Sequence, residues 1–496
     1  MSLELSWHNY KYYPYERELA LREVETLLAP AAVHSNRDAV FIDAPISSAN
    51  FNRLVYFAAA SDKSGVVHKT QQSLLERVNG NGLNRQSTRY SVHGLHEYKG
   101  KFNPQMAKVL LNIFKATPGQ RAFDPFSGSG TSLVECAHMG VTGKGADINP
   151  MAVFLANAKL TALGVPADTI LISAKQSVGR VLKSSLAPEE NDERNKYLLS
   201  WFSKDILSAI EGLRIELEQL DNDVKVVLLA IASNLLRDYS LQAPEDLRIR
   251  RRKTPLPSTP FLEAFETSTQ QFCTRLKDAQ SILGIIKTSS SALLADCRNL
   301  EPKISEELGR FDLALTSPPY ATALPYIDTQ RLSLVWLGLI NPENILELES
   351  KLIGSREIRG QNKKELLLLL ENNESNLPKE ELEFCLKLQN ALDEEDGFRR
   401  QVVPRLLYRY FSDMVASFKT VKSLMKPDSP YGLIVGGNHT ILGGKRFDIN
   451  TPNHLINIAK SVGWAHAETV ELQTYQRYGL HVNNATKTEA LIILKA

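Results

Sequence analysis

The run FDLALTSPPY (311–320) starts as a buried strand should, with Leu313, Ala314 and Leu315 in succession, and then breaks at Ser317, Pro318, Pro319 and Tyr320. Two consecutive prolines remove two backbone donors and fix two φ angles, so the strand stops on a stiff corner with an aromatic ring behind it. A second run, FDPFSGSGTSLVECAHMG (123–140), ends a strand at Asp124. It passes Phe126, Gly128 and Gly130 and enters a helix near Thr131. Glycines there admit a ligand without a Cβ clash, and the helix start offers free N–H groups to a carboxylate. The next strand, in GKGADI, ends in Asp147, about twenty residues past the glycines, where an acid holds ribose hydroxyls. The one after, in LLADCRNL, ends in Asp296, whose carboxylate can accept from an exocyclic adenine amine. Any one of these acids would serve equally as a turn or helix cap. Three at successive strand ends, beside a glycine turn, describe a pocket for a nucleoside bearing a cationic or polar tail.

A sheet is needed to present them. Strand-like runs at 120–126, 143–148, 292–297, 311–319, 431–438, 466–473 and 488–496 alternate with helix-like stretches. That alternation predicts an α/β fold with a parallel sheet covered on both faces. Between Gly164 and about Ile285 the pattern turns helical: Ile206, Ile210, Leu213, Leu217 and Leu220 step by four and three along one face. A second helical interruption, 341–400, is charged and leucine-rich. The first 90 residues support no fold assignment.

With 496 residues, 43% hydrophobic and 23% charged, the chain can build a full core in two or three domains. Its 58 basic and 56 acidic residues leave a net charge of only +2, so a nucleic-acid binder of this composition must concentrate positive charge locally. RIRRRKTPLPSTP (248–260) does so. The four cysteines form no CxxC pair, which favours reduced thiols over zinc or disulfides. The first residues hold no apolar signal core, and no run reaches the ~20 apolar residues of a membrane span. A cytoplasmic protein without membrane contact is expected.

DPFSGSGT followed downstream by TSPPY resembles the amino-methyltransferases of DNA, which move a methyl group from S-adenosyl-L-methionine to the N4 amine of cytosine or the N6 amine of adenine. HEYKGKFNPQMAKVLLNIF (96–114) is similar to the family's segment that closes over the methionine end of the cofactor, and YGLIVGGN and TEALIILKA to its last strands. The resemblance implies a Rossmann-like seven-stranded methyltransferase sheet with helical insertions. It implies cofactor contacts from Phe102, Asp124, Phe126, Gly128, Gly130, Thr131, Asp147 and Asp296. An exocyclic amine is conjugated to its ring and is a poor nucleophile, so a site that accepts hydrogen bonds from both its hydrogens favours the pyramidal nitrogen of the transition state. Ser317 and Pro318 are the expected acceptors. Pro319 stiffens the corner, and Tyr320 is expected to stack on a base flipped out of duplex DNA. Serine at 317 points to cytosine N4, as in members of the family that carry SPPY. A restriction–modification or defence role, with a cognate nuclease as partner, is implied in the same way.

Many members of the family that this chain resembles carry a DNA-reading domain after the last strand; none is expected here, since the sequence runs out at Ala496 directly after ALIILK. The expected organisation is an unassigned region 1–90, a first catalytic half 91–164 and a helical insertion 165–285. The second catalytic half, 286–340, a second insertion, 341–400, and the closing strands, 401–496, follow. Target reading is then expected in one of the insertions or in the N-terminal region, with Arg248, Arg250, Arg251, Arg252 and Lys253 as candidate phosphate contacts and KLIGSREIRGQNKK (351–364) as a second basic stretch. His93, His96, His439 and His481 are further residues able to line the cleft. Cys297 is expected to pack as a small apolar group. The rival readings are N6-adenine methylation, guanosine methylation in RNA, and a nucleic-acid-binding subunit without turnover.

Overall fold

The computed structural model describes the chain except residues 1, 37–38, 44–47, 77–85, 184–190, 322–326, 358–362 and 474–487. His481 and part of the 351–364 stretch therefore lie outside the described residues.

Seven strands form the central sheet: β1 (Arg121–Asp124), β2 (Thr142–Asp147), β3 (Ser291–Leu294), β4 (Leu313–Thr316), β5 (Pro430–Gly436), β6 (Ala465–Gln473) and β7 (Thr488–Lys495). Their spatial order is β6-β7-β5-β4-β1-β2-β3. β1 pairs in parallel with β2 and β4, and so do β2 with β3 and β4 with β5. β7 alone is reversed, lying antiparallel between β5 and β6. A strand's hydrophobic pattern carries no direction, so the expectation of a parallel sheet holds for six strands and is corrected for the seventh. The chain order turns back between β1 and β4, the kind of switch point outside which α/β sheets bind ligands.

Alternation along the strands sorts the core. Phe123, Ala314, Leu433, Val435, Ile492 and Leu494 pack with the helices Val403–Leu424 and Thr451–Ser461. Their neighbours Ala122, Leu313, Leu315, Ile434, Leu491 and Ile493 face the other way, onto the helix Pro104–Ile113. Behind that helix sits an antiparallel five-stranded sheet made by the first 70 residues, with Ser2–Trp7 at its centre. Arg22 of this layer grips Glu468 on β6 through two hydrogen bonds of 2.6 and 2.7 Å.

The helix after β2, Pro150–Gly164, is capped by Asn149, whose side chain accepts from Met151 N–H at 3.0 Å, with Pro150 in the first turn. It is apolar nearly all round because it is covered twice. The sheet edge lies on one side and the helices Asn222–Leu235 and Phe261–Leu283 belong to the same core on the other. The helices between β2 and β3 thus share one core with the helix that covers the sheet edge. All four cysteines are buried and unpaired.

Candidate active site

β1 and β4 are neighbours in parallel, so their carboxyl ends open on the same side. Between them lies a cleft lined by Tyr98, Gly100, Phe126, Gly128, Asp147, Ile148 and Asn149 on one flank. Asp296, Cys297, Ser317, Pro319 and Lys351–Ile353 line the other. The glycine turn and the serine–proline corner, 189 positions apart, share one opening.

Asp147 sits at the end of β2 with both oxygens oriented by the backbone: Gly128 N–H donates to one and Asn149 N–H to the other, each at 2.9 Å. Desolvation at the cleft wall pushes its carboxyl up to about 6, against those two hydrogen bonds. Gly128 takes a positive φ of 49°, which suits a residue whose N–H must turn toward an acid.

Four of the expected cofactor residues stand elsewhere. Asp124 is buried at 3% exposure. One of its oxygens accepts from Thr316 Oγ1 at 2.6 Å and Phe126 N–H at 3.2 Å, and the other accepts from Ser132 Oγ. It ties the end of β1 to the end of β4 and to the helix Thr131–His138; burial pushes it, too, up to about 6. Gly130 is a packing glycine. At φ 78° a Cβ there would lie 2.7 Å from the Ala156 Cβ. Thr131 is buried in the first turn of its helix, and Phe102 packs into the core under the N-terminal layer, whereas Tyr98 and Gly100 of the same segment face the cleft. Asp296 does line the cleft, but Arg298 already holds its carboxylate through contacts of 2.7–3.1 Å. Burial raises its pKa and those hydrogen bonds lower it by more, so it stays below the ordinary carboxylate range.

On the other flank the Ser317 hydroxyl donates to the Ile434 carbonyl of β5 at 3.1 Å. A hydroxyl has one hydrogen and two lone pairs, so this bond leaves Ser317 as an acceptor toward the cleft. Pro318 is buried, Pro319 reaches the cleft, and the Tyr320 hydroxyl donates to Glu489 Oε1 at 2.5 Å. Glu489 lies opposite Gly436 at the carboxyl end of β5, a position it owes to the reversal of β7. Sequence reading missed it for that reason. It missed Lys159 as well, a fully buried lysine whose Nζ donates to the carbonyl and hydroxyl of Ser129 at 2.8 and 2.9 Å and so clamps the glycine turn from behind. The signal was present, as a lone charge in the apolar run MAVFLANAKLTALG.

None of the described candidate histidines lines the cleft. His93 is wholly buried and bonds Glu135 at 2.6 Å, in a knot with His138, Ser91 and Tyr90. Burial pushes it down to about 3 despite Glu135. His96 bonds its neighbour's carbonyl, and His439 lies on the hairpin that leaves β5. Of the basic run, Arg251 lies over the Trp201 ring at 4.6 Å and Arg252 donates to Asp238 O at 2.7 Å, so both serve the local fold. Arg250 pairs with Asp246 at 3.0 Å, and Arg248 and Lys253 are exposed.

Residues 95–196 match the family model described as "UPF0020: RMKL-like, methyltransferase domain". The type II methyltransferase M.MvaI of Kocuria varians is 25% identical over 401 residues, which cover 74% of this chain and 82% of that protein. M.AvaI of Nostoc sp. is 21% identical over 407 residues, 76% and 80% of the two chains. A tRNA (guanine(10)-N2)-dimethyltransferase of Methanothermobacter thermautotrophicus is 40% identical over 52 residues, 10% of this chain and 16% of that one. With its sheet order, its glycine turn and these relatives, the chain is similar to type II DNA methyltransferases over about three quarters of its length.

Proposed function

We propose that the protein methylates the N4 amine of cytosine in duplex DNA, with S-adenosyl-L-methionine as methyl donor. The observation that carries this reading is the single cleft bounded by Gly128 and Asp147 on one flank and by Ser317 and Pro319 on the other. The residues suit that cofactor. Asp147 offers a carboxylate for ribose hydroxyls, Phe126 and Ile148 offer apolar surface, and Gly128 leaves room beside the turn. When bound, S-adenosyl-L-methionine supplies an electrophilic methyl group on a sulfonium. Ser317, its hydrogen already given to Ile434, accepts one amine hydrogen of the target base; the Pro318 carbonyl accepts the other. The two hydrogen bonds draw the amine lone pair out of conjugation. Tyr320, tied to Glu489, offers a ring for stacking against the extruded base.

The 52-residue likeness to a tRNA guanine-N2 enzyme supports a second reading, methyl transfer to a guanosine amine in RNA. The two separate in one experiment. The protein is incubated with isotopically labelled S-adenosylmethionine and either genomic DNA or total RNA, the polymer is digested to nucleosides, and the product is identified by mass. N4-methylcytosine from DNA is expected. Labelled N6-methyladenine would move the target to adenine, and label confined to guanosine in RNA would overturn the proposal.

A further inference from the structure

Phe398 is 65% exposed and is the only aromatic among the most exposed large apolar side chains of the described residues. It lies between Gly397 and the pair Arg399 and Arg400, in the turn that leads from the second insertion into the helix Val403–Leu424. The turn is braced. Asp396 Oδ2 accepts from the N–H of Asp393 at 3.0 Å and of Gly443 at 2.8 Å, Arg400 N–H donates to Gly397 O at 2.7 Å, and Gln401 Nε2 donates to Asp393 O at 2.5 Å. Gly443 is at the tip of the hairpin Asn438–Ile449 that leaves the carboxyl end of β5, so the turn is pinned to the side of the sheet where the cleft opens.

Charge gathers around it. Arg356 lies three residues beyond Ile353, a cleft-lining residue, on a strap whose carbonyls at Ser355 and Glu357 accept from Arg409 at 2.5 and 3.3 Å. Arg399, next to Phe398, and Arg248, from the first insertion, are both within electrostatic range of Arg356. Arg248 stands in the bend of a small hairpin closed by Gln242 and Arg251, and Gln242 Nε2 docks that hairpin on Asp328 O at 3.1 Å, eight residues after Tyr320. Both insertions thus bring arginines within range of one another beside the strap that follows Ile353 of the cleft, and Phe398 is the neighbour of one of them.

We propose that the turn Gly397–Arg400 is a wedge for duplex DNA: the Phe398 ring enters the stack where the target nucleotide has left it, while Arg399, Arg356 and Arg248 hold the flanking phosphates. The proposal rests on the DNA reading above. Extruding a base leaves a gap between its neighbours, and a rigid ring on a braced turn fills it with little loss of side-chain freedom. Arginines at the rim neutralise the phosphates on either side.

The test uses the full chain and duplex genomic DNA with labelled S-adenosylmethionine. Phe398→Ala should lower transfer about 10-fold, and Phe398→Trp should keep it within about threefold of the wild type, because stacking needs a ring and not this particular ring. The indole introduced by Phe398→Trp should also lose emission when duplex is added, beyond the change seen in the wild type. Transfer by Phe398→Ala within about twofold of wild type, or an indole indifferent to duplex, overturns the wedge while leaving the methyltransferase reading intact. Wild-type protein that labels no DNA overturns both.

Discussion

The Ser317 hydroxyl and the Asp147 carboxylate do opposite kinds of waiting. Ser317 has given its hydrogen to Ile434 O and can only accept, whereas Asp147 is desolvated enough to titrate near 6 before any ligand arrives. Ser317→Ala should therefore lower kcat about 100-fold. Its dissociation constant for S-adenosylhomocysteine, read by calorimetry, should stay near that of the wild type; equal losses in both would refute the role. At Asp147, ribose hydroxyls donating to the carboxylate require its ionised form. Affinity for S-adenosylhomocysteine should be full above pH 6 and fall as the pH drops through and below it, by up to about tenfold per unit. Asp147→Asn should be weak at every pH, without that step. The sequence pointed to both residues, and both line the cleft, but it placed Asp124 beside them. A strand-terminal acid faces either the ligand or the neighbouring strand, and the identity of Thr316 and Ser132 as its partners depends on which strand lies alongside.

Elements place these groups through packing as much as through hydrogen bonds. Gly130 brings the turn onto the helix Pro150–Gly164 at a distance no side chain tolerates, and Lys159 of that helix reaches back to Ser129. Gly130→Ala combines a left-handed backbone with a contact against Ala156, and should destabilise the protein by about 2–4 kcal/mol, seen as a lower thermal midpoint. A midpoint within about 1 °C of wild type would show that the turn relaxes freely. The seven strands and the two helical interruptions were legible because alternation and the 3.6-residue period survive burial. The direction of β7 was not, and Glu489 was lost with it. The five-stranded N-terminal layer was illegible for another reason. Its strands are three to six residues long, two of them barely buried, and its aromatic-rich start has no clean period.

Across the whole molecule, a net charge of +2 hides an uneven distribution. The basic run at 248–253 reads in sequence as one patch, but folding divides it. Arg251 lies over the Trp201 ring and Arg252 donates to the Asp238 carbonyl, while Arg248 is within range of Arg356 from the other insertion. A basic rim assembled from two insertions cannot be read from either one, since their spacing along the chain exceeds a hundred residues and they meet only on folding, through contacts such as the docking of Gln242 on Asp328. The division makes a measurable difference. Replacing Arg248 and Arg356 together by Gln should reduce the slope of log affinity for duplex DNA against log salt by about 2, at unchanged thermal midpoint, because each phosphate contact contributes about 0.9 to that slope. Arg251→Ala should do the reverse, lowering the midpoint through the lost stack on Trp201 and leaving the slope where it was. If instead the Arg251 variant flattens the salt dependence and the paired variant does not, the duplex lies along the first insertion alone and the strap at 351–357 only walls the cleft.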